Sequence, residues 1–242
     1  MEPLTTLFSG LFARIIGDRL QRASSANKLP FSSVKQLSQR INHVVHLASE
    51  RKRINSTLGY LAETIEGIDL STLEKIRSGA AEASPELVRR ICFLLGASYR
   101  YVWYGEDTPF SIDDDGYVPI SEYLGLFREP GLDSIYFVRG KSYPHIGFVV
   151  LQYDEYRFRV LPHRLHVSAE NGNGGTKSLS EFAKLSENYH KTSSYRAIAI
   201  GLEVPGSTAE KVLVGDLHPR ALLNKESKRS YWWDDLSDIS HI

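Results

Sequence analysis

Residues 57–79 read TLGYLAETIEGIDLSTLEKIRSG, and this stretch decides the fold of the front of the chain. Leu58, Leu61, Ala62 and Ile65 recur at helical spacing; after a break, Leu70, Leu73 and Ile76 do so again. Apolar side chains three and four residues apart share one face of a helix, so the pattern predicts two short amphipathic helices. The punctuation agrees. Thr57 is a candidate cap for the first of the pair, Gly67 sits in the turn between them, and Asp69 or Ser71 can cap the second. Ser71 with Glu74 three residues on has the form of a capping box, and Gly79 closes the helix.

Working outward, Leu37, Ile41, Val44, Val45 and Ala48 make an earlier stripe, while Leu87, Val88, Ile91, Leu94 and Leu95 make a later one. Ser84-Pro85 opens that last helix, with proline at its first position, and Gly96 ends it. Four short helices with a tight turn between the second and third describe a small all-α bundle over residues 34–110. The single cysteine, Cys92, lies beside the last stripe and is expected in the core; alone, it can form no internal disulfide.

Upstream, Leu4, Leu7, Phe8, Leu11, Phe12, Ile15 and Ile16 form a wide apolar stripe, with Arg14, Asp18 and Arg22 off that face. Residues 1–33 therefore read as an amphipathic helical extension, broken by ASSANKLP at 23–30. Such a stripe can dock on its own protein or act as a dimerisation arm. A membrane-surface role suits it less, because its polar face is poor in lysine. Downstream of Pro109 the acidic turn at 111–116 reads as a linker. Beyond it, Ser134–Val138, Ile146–Tyr153, Tyr156–Leu161, Tyr195–Leu202 and Lys211–Val214 are β-branched or aromatic runs separated by turn residues. Gln152–Arg157 suits a hairpin, Ser178–Tyr189 a helix between strands, and Asn171–Gly175 a flexible loop tip. Residues 117–230 are thus expected to form a β-rich domain for dimerisation or regulation. Residues 231–242 form an aromatic and acidic tail that docks on that domain or binds something else. The fold class expected is α+β.

Residues 57–110 resemble the lambda-repressor-like (xenobiotic-response-element type) helix-turn-helix family. Leu61-Ala-Glu63, Ser71-Thr-Leu-Glu-Lys-Ile76 with Gly79, Leu94-Leu-Gly-Ala-Ser98 and the ending YRYVWYGEDTPF at 99–110 carry the resemblance. It implies a DNA-binding domain whose third helix enters the major groove. By position it puts Leu70, Ser71 and Lys75 at base edges, with Thr57 and Leu58 opening the helix that crosses the backbone. Thr72, Arg77 and Ser78 complete the candidate contacts on or beside the third helix. Arg53, in the run Arg51-Lys-Arg53, adds a phosphate contact. The chemistry fits: Lys75 can donate to guanine O6 and N7, Ser71 serves either base type, and Leu70 can pack on a thymine methyl.

Composition bounds the alternatives. Of 242 residues, 42% are hydrophobic and 24% charged, which are globular values. No apolar run reaches the roughly eighteen residues a membrane span needs, and residues 1–20 lack the marks of a secretory signal. A cytoplasmic protein with no membrane partner is expected. Net charge is zero, with 29 basic and 29 acidic residues; residues 1–110 hold 14 and 11. That is a slight basic lean where a DNA-binding domain normally has a clear one.

Two other functions compete. Phage repressors of the resembled family often carry a self-cleaving Ser/Lys domain, and Arg139-Gly-Lys-Ser142 with Lys177 downstream faintly echoes its motif. The acidic and methionine positions are missing, however, and no Ala-Gly pair lies between Phe110 and Ser142. A serine–lysine pair also needs a neutral, buried lysine, and Lys177 follows a glycine-rich tip. The other alternative is a protein-binding adaptor with a degenerate helix-turn-helix; neutral charge and Ala80-Ala-Glu-Ala83 after the third helix favour it. His145, His163, His166, His190 and His218 stand singly without ligand spacing and are expected at the surface or in hairpins. No catalytic residue, metal or cofactor is therefore expected. The expectation is a non-enzymatic, dimeric transcriptional regulator of phage-repressor type that binds double-stranded DNA. Its C-terminal domain is free to receive a protein or small-molecule effector.

Overall fold

The computed structural model describes residues 33–49, 54–110, 120–141, 146–161, 165–166, 173–191, 197–230 and 232–233. It is α+β, with a helical bundle followed by a mixed sheet and its covering helices. The extension at 1–32, the basic run at 51–53, the linker at 111–116 and Ser142 lie outside the described residues.

Five helices make the bundle: α1 (Val34–Ala48), α2 (Ile54–Thr64), α3 (Leu70–Ser78), α4 (Pro85–Leu95) and α5 (Tyr99–Tyr104). Their apolar stripes converge on one core that includes Leu37, Ile41, Val44, Leu58, Leu61, Leu73, Ile76, Val88, Ile91 and Leu95. Cys92 belongs to it, and burial pushes its thiol up to about 12. Helix ends are closed largely as the sequence indicates. Ser84 accepts the Leu87 N–H and Ser98 the Tyr101 N–H, while Gly79 and Gly96 end α3 and α4 in the left-handed conformation. Of the two candidate caps for α3 the first is used, and one cap differs from expectation. The cap of α3 is Asp69, whose Oδ1 accepts the Thr72 N–H at 2.7 Å; Ser71 lies inside the helix and donates its hydroxyl to Asp69. Thr57 caps nothing, because α2 starts three residues earlier, at Ile54.

The second region is a six-stranded sheet of β1 (Ser134–Gly140), β2 (Ile146–Gln152), β3 (Phe158–Val160), β4 (Leu165–His166), β5 (Ile198–Val204) and β6 (Lys228–Arg229). Their order is β3-β2-β1-β5-β6, with β4 also paired to β2. Central β1 runs antiparallel to β2 and parallel to β5. The register Phe137↔Val149 and Val138↔Phe148 sorts the side chains onto two faces. Ile135, Phe137, Val149 and Leu151 meet Tyr123 and Phe127 of a short helical segment together with Phe182 and Leu185 of α6 (Asn173–Lys191). Tyr136, Val138, Phe148, Val150 and Leu202 meet Ala209 and Val212 of α7 (Gly206–Leu213). Because helices cover both faces, β1 and β2 read as continuous apolar runs rather than alternating ones.

Three expectations are corrected here. Lys211–Val214, expected as a strand, is the end of α7: one lysine and three aliphatic residues are too few to show a decisive period, and the Ala209–Val212 spacing belongs to a helix. The glycine-rich patch is not a free loop tip throughout, since α6 begins at Asn173 within it despite the low helix propensity of glycine. The strand expected at Tyr195–Leu202 lies a few residues further on, at Ile198–Val204.

Trp232 and Trp233 of the aromatic tail dock on the sheet. Trp233 stacks on Phe137 with ring centres 4.2 Å apart, and Trp232 Nε1 donates to the Phe137 carbonyl at 3.1 Å. Gly201 makes room for the tail: a Cβ there would collide with the Ser230 carbonyl and meet Trp233 Cδ1 at 2.7 Å.

Bundle and sheet touch along a seam. Tyr60 of α2 lies on Tyr156 at 4.6 Å between ring centres and donates its hydroxyl to Asp154 at 3.1 Å. Phe110 N–H donates to the Gly215 carbonyl at 2.9 Å, and Thr108 Oγ1 to the Val214 carbonyl at 2.9 Å. Tyr156 and Phe110 are buried in the bundle's own core.

Candidate nucleic-acid interface

Helix α3 is nine residues long and amphipathic. Leu73 and Ile76 are sunk into the bundle, leaving the opposite side to solvent. Leu70, Ser71, Glu74, Lys75 and Ser78 are exposed there. Their spacing of one, four, five and eight residues from Leu70 puts them on a single face. At 40% exposure, Leu70 is among the most exposed large apolar side chains described. The face is therefore a contiguous strip of one apolar, two hydroxyl, one anionic and one cationic group.

The supporting contacts hold the strip in place. α3 packs on α1 and α2, and its start is pinned by Asp69. The hydrogen bonds from Thr72, side chain before backbone, hold the Asp69 carboxyl below its usual range, with help from Ser71 and Lys75. Ser78 Oγ donates back to the Lys75 carbonyl at 3.0 Å, so its hydroxyl proton is used within the helix. Arg77 does not project freely. Its Nη1 donates to Asn42 Oδ1 of α1 at 3.0 Å and the residue is half-buried. Thr72 is likewise half-buried.

The sequence-predicted residues divide accordingly. Leu70, Ser71, Lys75 and Ser78 come together on the exposed strip, with Thr72 and Arg77 at its margin. Arg53 lies outside the described residues. Thr57 and Leu58, expected to open the helix that crosses the backbone, are instead buried away from the strip, 0% and 1% exposed. The Thr57 hydroxyl lies 2.6 Å from Ser49 Oγ, and Ser49 in turn donates to the Val45 carbonyl. Thr57 thus ties α2 to the end of α1. The capping pattern places Thr57 just before the helix, whereas the helix already includes it.

Charge around the strip is mixed. Glu74 shares it with Lys75, while Glu63, Glu66 and Asp69 are exposed on the end of α2 and the following turn. Over residues 34–110, ten are Lys or Arg and nine are Asp or Glu.

The other candidate chemistry divides differently. Arg139 of the Arg139-Gly-Lys-Ser142 stretch pairs with Glu203 and lies 5.5 Å from the Trp232 ring centre, so its guanidinium is engaged in holding the sheet together. Among the described residues no cluster of three or more His, Cys, Asp or Glu could hold a metal, and no helix is long and apolar enough to cross a membrane. His218, one of five histidines expected mostly at the surface or in hairpins, is fully buried at the seam. No local signal marked it, since what buries it comes from segments distant in sequence. Comparison of the chain with family models, with curated proteins and with solved structures finds no match.

Proposed function

We propose that the chain is a sequence-specific regulator that binds double-stranded DNA as a homodimer in the cytoplasm, through the exposed strip of α3. The observation that carries this reading is the pair α2–α3. A five-residue turn at 65–69 joins them, and the second helix is anchored by Leu73 and Ile76 while it offers Leu70, Ser71 and Lys75 outward. A short helix held in that way can enter a major groove, where lysine and serine reach base edges and leucine meets a thymine methyl. One such module covers few base pairs, so useful specificity calls for two half-sites and hence two copies. The sheet region supplies the dimer contacts or receives an effector.

The test is selection of duplexes from a random pool by the full chain, followed by titration at several salt concentrations. Lys75→Ala should lower affinity by about 1–3 kcal/mol and relax preference at one base position. Wild-type affinity should fall steeply as salt rises. Salt-independent binding, or affinity unchanged by Lys75→Ala, would favour the second reading, a protein-binding adaptor. The observation on that side is Glu74 on the same strip and the near balance of ten basic to nine acidic residues over 34–110.

A further inference from the structure

The ring of His218 lies where the bundle meets the sheet region, and each of its nitrogens is committed. Nδ1 accepts the Arg220 N–H at 3.1 Å, which caps the 3-10 turn Pro219–Leu223. With Nδ1 as acceptor, the proton of the neutral ring resides on Nε2. Nε2 then donates to two carbonyls, Leu95 at 3.1 Å and Tyr156 at 3.0 Å. Leu95 closes α4, and its carbonyl is among the last four of a helix, which lack an intrahelical donor. The sheet region therefore satisfies a group that the bundle leaves open. Phe110 and Phe158 flank the ring edge-on, at 4.9 Å and 5.4 Å between centres. The packing is close: a Cβ on Gly96 would come within 2.8 Å of the Phe158 carbonyl.

We propose that neutral His218 is the pin that joins the bundle to the sheet region, so that replacing or protonating it frees the two to move independently. An imidazolium would place an Nδ1–H against the Arg220 N–H, donor facing donor, inside a site sealed from water. Burial accordingly pushes the His218 pKa down, from 6.5 to about 4; the hydrogen bonds to Tyr156 and Leu95 oppose this and Arg220 adds to it. The sign follows. The ring stays neutral while pinned, and once released it takes up a proton below about 6.5. Pinning is thus complete above pH 6.5 and is progressively lost as pH falls toward 4.

Other charged groups face the same seam. Arg220 lies 4.8 Å from the Tyr156 ring centre and pairs with Glu155 at 2.7 Å. In the β2–β3 turn Asp154 accepts from Tyr60 of α2, while Arg157 lies over Phe93 of α4. Asp216 is exposed on the link between α7 and the 3-10 turn. A test must therefore separate His218 from the carboxylates, and Asp154 is the carboxylate that itself bonds across the seam.

The experiment is amide hydrogen exchange on the full chain between pH 7 and 4.5, corrected for intrinsic rates. The reporters are the seam amides of Phe110 and Arg220, with those of β1 and β2 as internal reference. In the wild type, protection at the seam should fall by on the order of 10- to 100-fold across that range while β1 and β2 hold. His218→Leu should lose seam protection already at pH 7. His218→Gln keeps one donor and one acceptor but cannot titrate; it should restore part of the protection and abolish the acid response. Asp154→Asn should retain that response. An acid response that persists in His218→Gln, or disappears in Asp154→Asn, overturns the proposal. So does a His218→Leu variant whose β1 amides loosen as much as the seam, or whose seam stays as protected as the wild type's.

Discussion

The bundle and the sheet region reach a packed core by opposite routes. In the bundle each helix presents one apolar stripe and meets the others over short loops. Ser33, Asp69, Ser84 and Ser98 cap α1, α3, α4 and α5 by accepting the N–H three residues on. In the sheet region β1 has no solvent face. It is buried by β2, by β5 some sixty residues further along the chain, by α6 and α7, and by two tryptophans from the tail. The difference teaches that the first region is specified element by element, whereas the second is specified only when distant pieces arrive together. Removing one central ring should therefore disable the sheet, while losing one cap should only trim a helix.

The largest effect expected is at Phe137. It is fully buried, stacked on Trp233 and edge-on to Phe127 and Phe182. Phe137→Ala should cost about 3–5 kcal/mol in urea unfolding. The near-ultraviolet signal of Trp232 and Trp233 should be lost at lower denaturant than the helical signal at 222 nm. Coincident loss of both signals would break the comparison, because the two regions would then unfold as one unit even without the sheet's central ring.

Gly96→Ala probes the seam. The position has φ of 59° and no space before the Phe158 carbonyl, so the substitution meets both backbone strain and a clash. A loss of about 2 kcal/mol is expected. Faster proteolysis confined to residues near 95–110 and 215–220, with the β1–β2 core intact, would sharpen the distinction between seam and cores. The smallest effect is at Ser84, whose Oγ accepts the Leu87 N–H at 3.2 Å. Ser84→Ala should cost about 1 kcal/mol with unchanged cooperativity. A loss above 3 kcal/mol, read from the same urea curve, would show that the bundle is not built from locally satisfied parts.

The same contrast governs how much could be read in the sequence. Stripes such as Leu87, Val88, Ile91 and Leu95, with Ser84-Pro85 before and Gly96 after, carry period, start and stop within a dozen residues. The four helices of residues 34–95 were legible for that reason. Strands β1 and β2 were legible as apolar runs, but their two covered faces were not, since no local pattern announces which helices will lie on them. Lys211–Val214 failed because four apolar-leaning residues fit either period. At the candidate interface, the exposure of Leu70, Ser71 and Lys75 followed from the phase of Leu73 and Ile76. The burial of Thr57 did not follow, because it depends on Thr57 lying within the helix Ile54–Thr64 and against Ser49 of α1 rather than at the helix's edge. His218 was illegible altogether, as its partners Leu95 and Tyr156 stand 123 and 62 residues away.

The docking of Trp232 and Trp233 also sets an order of events during synthesis. Phe137 and the tryptophan that bonds its carbonyl are 95 residues apart. At about 5–20 residues per second a ribosome needs roughly 5–20 s to add that length. The helical bundle, whose contacts all precede β1 apart from the seam, can form while the sheet is still incomplete. Through that interval one face of β1 lacks its aromatic cover and exposes Phe137, a period in which a nascent chain is open to chaperone capture. Slowing translation between residues 140 and 230 would lengthen this exposure and speeding it would shorten it, so the yield of native protein should respond to codon usage in the stretch that separates the two rings.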